Sequence, residues 1–368
     1  MGCAYLILEN GDVFKGRPFG FDGEAVGELV FSTGMSGYLE TLSDPSYFGQ
    51  IVLQTFPLIG NYGVIPQDFG PGPVHLSAYI VREWCQEPSN FRSEGNLDSF
   101  LRLNRVPGLF DVDTRRLTSL IRDKGVMNAM ISREPVLSQE QLTTLKGFRV
   151  TGAVEGVVRK NSEFGIRNSE LRDGGASGRN SEFGIRNSEL PVVIWDFGGG
   201  FRLGELLSCR SCAPLVVGFD ASADDIMAIG ASGVVLSGGP GDPAENKRII
   251  GEIGKLCDMG LPIFAVGLGH QMLALALGGR TLKLPFGHRG INQPVLHRET
   301  GHAFITTQNH GYAVALDALP SGAVVSYENL NDGTCEGIDY PGLKTFSVQF
   351  DPTVEVIDRF VRCLNAAE

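Results

Sequence analysis

The sequence predicts an α/β protein in two parts: a mixed α/β first part, and a second part built on a mostly parallel, doubly wound sheet. Three observations carry this. From Pro191 onward the short apolar runs PVVIWDFGGG, PLVVGFD, GVVLSGGPGDP and LPIFAVGLG are mostly separated by helix-sized stretches, the pattern of a parallel sheet with helices on both faces. Several of these runs end in glycine turns, where open α/β sheets place their ligands. The first 150 residues mix strand and helix signals without that alternation, and 368 residues are more than one core usually spans.

The stretch AYLILENGDVFKGRPFG opens the chain with strand signals about a turn at Asn10-Gly11. ELVFSTG, 28–34, reads as a further strand. DVDTRRLTSLIRDKG, 111–125, reads as a helix: Asp113 or Thr114 caps it, Leu117, Leu120 and Ile121 share a face, and Gly125 ends it. Residues 151–190 break the pattern. NSEFGIRNSEL stands at 161–171 and again at 180–190, and Asn-Ser-Glu recurs within each copy with a period of seven. Two short copies separated by RDGGASGR offer too few apolar positions for a coiled coil. The heptanucleotide GGAATTC, read through its three frames, encodes Gly-Ile-Arg-Asn-Ser-Glu-Phe. The segment is therefore expected to be translated tandem-repeat DNA forming a flexible linker, between domains at 1–150 and 191–368.

The composition, 42% hydrophobic and 20% charged, is that of an ordinary globular chain. A net charge of −11 disfavours nucleic-acid binding, which needs a basic face. No apolar run approaches the roughly 18 residues of a membrane span. The N-terminus lacks the basic region of a signal peptide, and Leu6 stands where a myristoylation signal wants Ser or Thr. A cytoplasmic protein is expected. The seven cysteines are odd in number and scattered, as expected of reduced thiols. Cys209 and Cys212 form a C-x-x-C with no second pair and no paired His, so helix packing is expected there rather than zinc.

The chemistry is expected at three stretches. AVGLGHQMLALALGG, 265–279, is a strand, a sharp turn and a helix, the architecture of a nucleophile elbow; its tip, Gly267, has no side chain. SGGPGDP, 237–243, offers backbone N–H groups with no Cβ in the way, suited to an anion or a developing oxyanion. TTQNHGYAV, 306–314, is the third.

In their order along the chain, these stretches resemble the class I, triad-type glutamine amidotransferase domain. VFSTGMSGYLETLSDPSYFGQIV, FPLIGNYGV, SNFRSEGNLDSFL and DVDTRRLTSLIRDKG resemble the N-terminal domain of the carbamoyl-phosphate synthetase small chain, as do FGHRGINQPV and QNHGYAV further on. The resemblance spans the chain outside 151–190. It implies a subunit that hydrolyses glutamine and passes ammonia through a tunnel to a large chain, in a heterodimer or higher assembly serving pyrimidine and arginine synthesis. The large chain would use ATP, Mg and bicarbonate; no cofactor or metal is expected on this chain, which has no G-x-x-x-x-G-K-[ST] loop. By motif match the glutamine-holding positions are Ser46, Gly239, Gly241, Leu268, Gln271, Asn309, Gly311 and Tyr312.

The chain departs from the family at each catalytic position. The C-L-G-H-Q motif begins with Gly267, and the H-P-E motif reads Asp351-Pro352-Thr353, so nucleophile, base and orienting acid are all replaced. The D-F-G-x-K-x-N pattern is altered at Gly200 and Arg202. Glycine cannot form a thioester, and amide hydrolysis by an aspartate alone lacks several kcal/mol of assistance. Three readings follow: a small chain without glutaminase activity in an ammonia-fed synthetase, a glutamine-sensing module without turnover, or an active glutaminase with an unrecognised nucleophile.

Overall fold

The computed structural model describes residues 2–70, 72–158 and 190–365, which divide into two units. The first unit comprises Met1–Ala153 with Leu284–Asn292. Its elements in order are β1 (Ala4–Leu8), β2 (Val13–Gly20), β3 (Ala25–Ser32), α1 (Tyr38–Ser43), β4 (Gln50–Gln54), β5 (Leu58–Ile59), β6 (Ala78–Ile80), β7 (Glu83–Trp84), α2 (Leu97–Leu103), β8 (Pro107–Phe110), α3 (Thr114–Lys124), β9 (Met127–Ser132) and α4 (Gln139–Gly147).

Seven of these strands close into a barrel in the order β1-β2-β8-β6-β4-β3-β9, which leaves no open sheet edge among them. The hairpin β1–β2 turns where Gly11 takes φ +93° and the Asn10 side chain accepts from Asp12 N–H at 3.0 Å. Strand alternation sorts the core: Leu29 and Phe31 join Leu6, Ile51 and Leu109, while Val30 between them packs with Val52 and Tyr79 on the other side. Helix α3 adds Leu117 and Ile121 to the first group. Its ends are those the sequence predicts: Asp113 Oδ1 accepts from Arg116 N–H at 3.0 Å, and Gly125 follows with φ +87°.

The second unit comprises Val154–Lys283 and Gln293–Glu368. The expected linker lies largely outside the described residues, at 159–189. Its described N-terminal part is structured: α5 (Ala153–Val157) buries Val154, and the following Val158 is buried too, both in this unit's core. Then come β10 (Leu190–Trp195), α6 (Gly200–Ser208), β11 (Cys212–Val217), α7 (Ala223–Ala228), β12 (Gly233–Leu236), α8 (Lys247–Asp258), β13 (Ile263–Val266), α9 (Leu268–Ala276), β14 (Thr281–His297), β15 (Ala303–Val314), β16 (Val324–Asn329), β17 (Cys335–Tyr340), β18 (Thr345–Val348) and α10 (Val354–Asn365). The middle of β14 belongs to the first unit, an assignment that follows tertiary packing and not sequence order.

The sheet order is β11-β10-β12-β13-β18-β17-β16-β14-β15, and its first five strands are parallel. It is doubly wound, as predicted. Val193, Trp195, Val234 and Ile263 face α7, α8 and α9 through Ile226, Ile253 and Met272. The intervening Ile194, Val235 and Phe264 face α6 and α10 through Leu203, Leu207 and Phe360. Cys209 and Cys212 do not share a helix: Cys209 is the exposed residue ending α6, and Cys212 is the buried first residue of β11. A tight turn through Ser211, with φ +57°, separates them. Among the described residues no helix is long and apolar enough to cross a membrane.

Candidate functional site

The site lies in the second unit, at the carboxyl edge of its parallel strands. The wholly buried strand β13 ends at Val266, and α9 starts at Leu268. Gly267 makes the corner with φ +54° and ψ −113°, a backbone conformation costly for any residue with a Cβ. Its N–H donates to Val348 O at 2.9 Å, and its carbonyl accepts from Gln271 N–H at 3.2 Å. Gly269 donates to Ser237 O at 3.0 Å, and a Cβ there would lie 2.6 Å from Leu236 O. The second glycine of the motif is therefore required by the close packing of α9 on β12.

Beside the elbow runs the glycine loop after β12. A Cβ placed on Gly267 would stand 3.3 Å from Gly238 Cα, and one on Gly239 would overlap Phe197 O. Gly241 takes φ +91°. The loop is tied to β10 through Asp196 and Ser237. Asp196 Oδ1 accepts from Gly198 N–H (2.9 Å), Gly200 N–H (2.8 Å) and Ser237 Oγ (3.1 Å). Burial raises the Asp196 carboxyl above its ordinary range, against the three hydrogen bonds that favour its charge. A Cβ on Gly200 would lie 2.8 Å from that same Oδ1, so the altered position 200 suits this carboxylate.

The positions that the motif match marks as altered are placed as follows. Asp351 donates its N–H to Thr307 O at 3.0 Å, and its carboxylate lies 3.5 Å from Arg202 Nη1 on α6. Thr353 precedes α10; its carbonyl accepts from Ile357 N–H at 3.1 Å. The Glu355 carboxyl is held below its ordinary range by its own backbone N–H and by the Thr353 hydroxyl.

The remaining predicted positions fall in two places. Ser46 belongs to the first unit, in the turn Pro45–Tyr47, where its N–H donates to Asp44 Oδ1 at 2.8 Å. Leu268, Gln271, Asn309, Gly311 and Tyr312 belong to the second unit, on α9 and β15. There Gln271 Nε2 donates to Tyr312 O at 2.7 Å and to Gln349 Oε1 at 2.8 Å. The Leu268 side chain packs 3.1 Å from where a Gly239 Cβ would be. Asp196, Ser237 and Gln349 were not named as site residues, although Ser237 opens the stretch SGGPGDP. Asp196 had a signal, since it opens the run DFGGG; Gln349 had none.

His270, Cys257 and Cys335 are all buried. His270 is wholly buried, its Nδ1 is 2.8 Å from Ser347 Oγ, and burial pushes it down to about 3. Cys257 is near the end of α8, the helix that leads into the opposite, amino-terminal edge of β13, and burial pushes its thiol up to about 11. Cys335 starts β17 in the core, and burial pushes it up to about 12.

Comparison with known proteins agrees with this geometry. Residues 6–131 match the family model "Carbamoyl-phosphate synthase small chain, CPSase domain", and residues 193–357 match "Glutamine amidotransferase class-I". The carbamoyl phosphate synthase small chain of Clostridium perfringens is 42% identical over 349 residues, 95% of this chain and 93% of that protein. The pyrimidine-specific small chain of Halalkalibacterium halodurans is 39% identical over 98% of this chain and 97% of that protein. That of Syntrophotalea carbinolica is 42% identical over 95% and 92%. Both halves of the chain and the order of their motifs thus lead to one conclusion: this chain belongs to the carbamoyl phosphate synthase small chain family.

Proposed function

We propose that this chain is the small subunit of an ammonia-fed carbamoyl phosphate synthase and does not hydrolyse glutamine. One observation carries the reading: the elbow tip is Gly267, and the positions that would activate and orient a thiol are Asp351, facing Arg202, and Thr353, at the start of α10. Without a nucleophile no thioester forms. Amide hydrolysis by the Asp351 carboxylate acting alone would need several kcal/mol of assistance from elsewhere. The subunit's contribution is then to assemble with a large chain, in the cytoplasm, where the large chain binds ATP and Mg and joins bicarbonate to free ammonia. Carbamoyl phosphate made this way would feed pyrimidine and arginine synthesis.

A second reading, a glutamine sensor without turnover, is favoured by the contact of Gln271 with the Tyr312 carbonyl, since both are among the motif-matched glutamine positions. The test is carbamoyl phosphate formation by this chain with its cognate large chain, comparing glutamine with ammonium. Activity with ammonium alone supports the proposal. Activity with glutamine overturns it and requires a nucleophile elsewhere. Saturable glutamine binding with no assembly with the large chain favours the sensor.

A further inference from the structure

Two residues that depart from the family pattern, 149 positions apart in the sequence, meet across the elbow: Arg202 Nη1 stands 3.5 Å from Asp351 Oδ2. Each is carried by a segment linked to the surroundings of Gly267. On one side Gly199 N–H donates to Gly238 O at 2.9 Å, and Gly238 Cα is the atom nearest a Cβ built on Gly267; Arg202 stands one helical turn beyond Gly199. On the other side Val348 O accepts the Gly267 N–H and Gln349 O lies 3.9 Å from that Cβ; Asp351 follows two residues later. The two side chains are 76% and 54% exposed, so they meet at the surface.

We infer that Arg202 and Asp351 form a clasp across the mouth of the elbow, a closing contact that restricts small molecules from the space over Gly267. The contact is a single exposed ion pair, so the clasp is weak and opens readily. The inference holds whether or not glutamine is hydrolysed.

The test places a reporter at the elbow tip. In the full chain carrying Gly267→Cys, alkylation of Cys at that position by the neutral reagent iodoacetamide is followed by peptide mass spectrometry, which separates it from the exposed Cys3 and Cys209. A clasp predicts that Arg202→Met and Asp351→Asn each accelerate labelling about 2–5-fold. It also predicts that about 0.5 M salt accelerates labelling only when both residues are present. If the two residues merely bias the thiolate through their charges, losing the arginine slows labelling and losing the aspartate speeds it. That opposite pattern, or no change, overturns the clasp. Should the Gly267→Cys chain not fold, hydrogen exchange of residues 263–272 is compared in the otherwise native chain. Faster exchange in both single variants supports the clasp, and unchanged exchange overturns it.

Discussion

Gly267 faces Gly238 so closely that a Cβ on the first would stand 3.3 Å from the Cα of the second. The corner retains the geometry of an elbow, φ +54° and ψ −113°, although nothing projects from it. Reintroducing the thiol therefore meets two penalties, a strained backbone and a tight neighbour. Gly267→Cys is expected to lower stability by about 1–3 kcal/mol, measured by urea unfolding. It should not produce glutamine hydrolysis, because Asp351 and Thr353 remain; detectable ammonia release by this single variant would contradict that expectation.

Asp196 caps α6 in place of a side chain at the helix start, since Gly199 and Gly200 have none to offer. Asp196→Ala should cost about 1–2 kcal/mol, while Asp196→Asn, which keeps an acceptor oxygen, should cost much less. The pH dependence has a definite sign. A carboxyl raised by burial binds its proton more tightly folded than unfolded, so its contribution to stability is greatest at low pH and falls as pH rises through the folded value. Unfolding curves between about pH 3 and 6 should show Asp196→Asn gaining on the native chain as pH rises; a difference independent of pH would refute this.

The fold was legible where local chemistry decides it. Asp113 and Gly125 mark the ends of α3 through a side-chain cap and a positive φ, both set by neighbours in sequence. The elbow was legible for the same reason: a buried apolar run, a glycine corner and a helix follow one another directly. What was hidden depends on distant pairing. Closure of the barrel needs β1 to pair with β9 and β2 with β8, more than 80 residues apart by the register Gly20↔Pro107, and nothing periodic in either strand announces its partner. The placement of Leu284–Asn292 with the first unit is of this kind. So is the meeting of Arg202 with Asp351: the sequence shows both as departures from the family, and only the sheet's strand order brings them together.

Burial disfavours the charged form of His270 in the folded chain. Its Nδ1 lies 2.8 Å from Ser347 Oγ in the buried interior. With the folded value pushed down to about 3, the unfolded chain takes up the proton first as pH falls. Stability from this residue is therefore fully present above the unfolded value and is lost on acidification. Between about pH 7 and pH 5 the loss is about 2 kcal/mol. His270→Gln, which cannot titrate, should show a shallower decline over that interval in urea unfolding; equal slopes would show that the imidazole is already charged when folded or is not titrating.

Glu336 anchors a ring of close polar contacts that reaches the elbow helix. Its Oε2 accepts from Gln308 Nε2 at 3.0 Å; Gln308 Oε1 faces His310 Nε2 at 3.1 Å; His310 Nδ1 faces Tyr312 O at 2.8 Å. Tyr312 O also accepts from Gln271 Nε2, which donates to Gln349 Oε1 as well, and Gln349 N–H returns to Glu336 O at 2.8 Å. The other carboxylate oxygen accepts from Asn329 Nδ2 at 3.1 Å. Since only a carboxylate can accept at both oxygens, Glu336→Gln sets one NH₂ group against another in a buried site. The expected cost is about 1–3 kcal/mol. Because the ring continues through Tyr312 into Gln271, the first turn of α9 should also exchange its amides faster in this variant. Loss of stability with unchanged exchange at 268–272 would mean that Glu336 supports β15, β16 and β17 alone and leaves the elbow untouched.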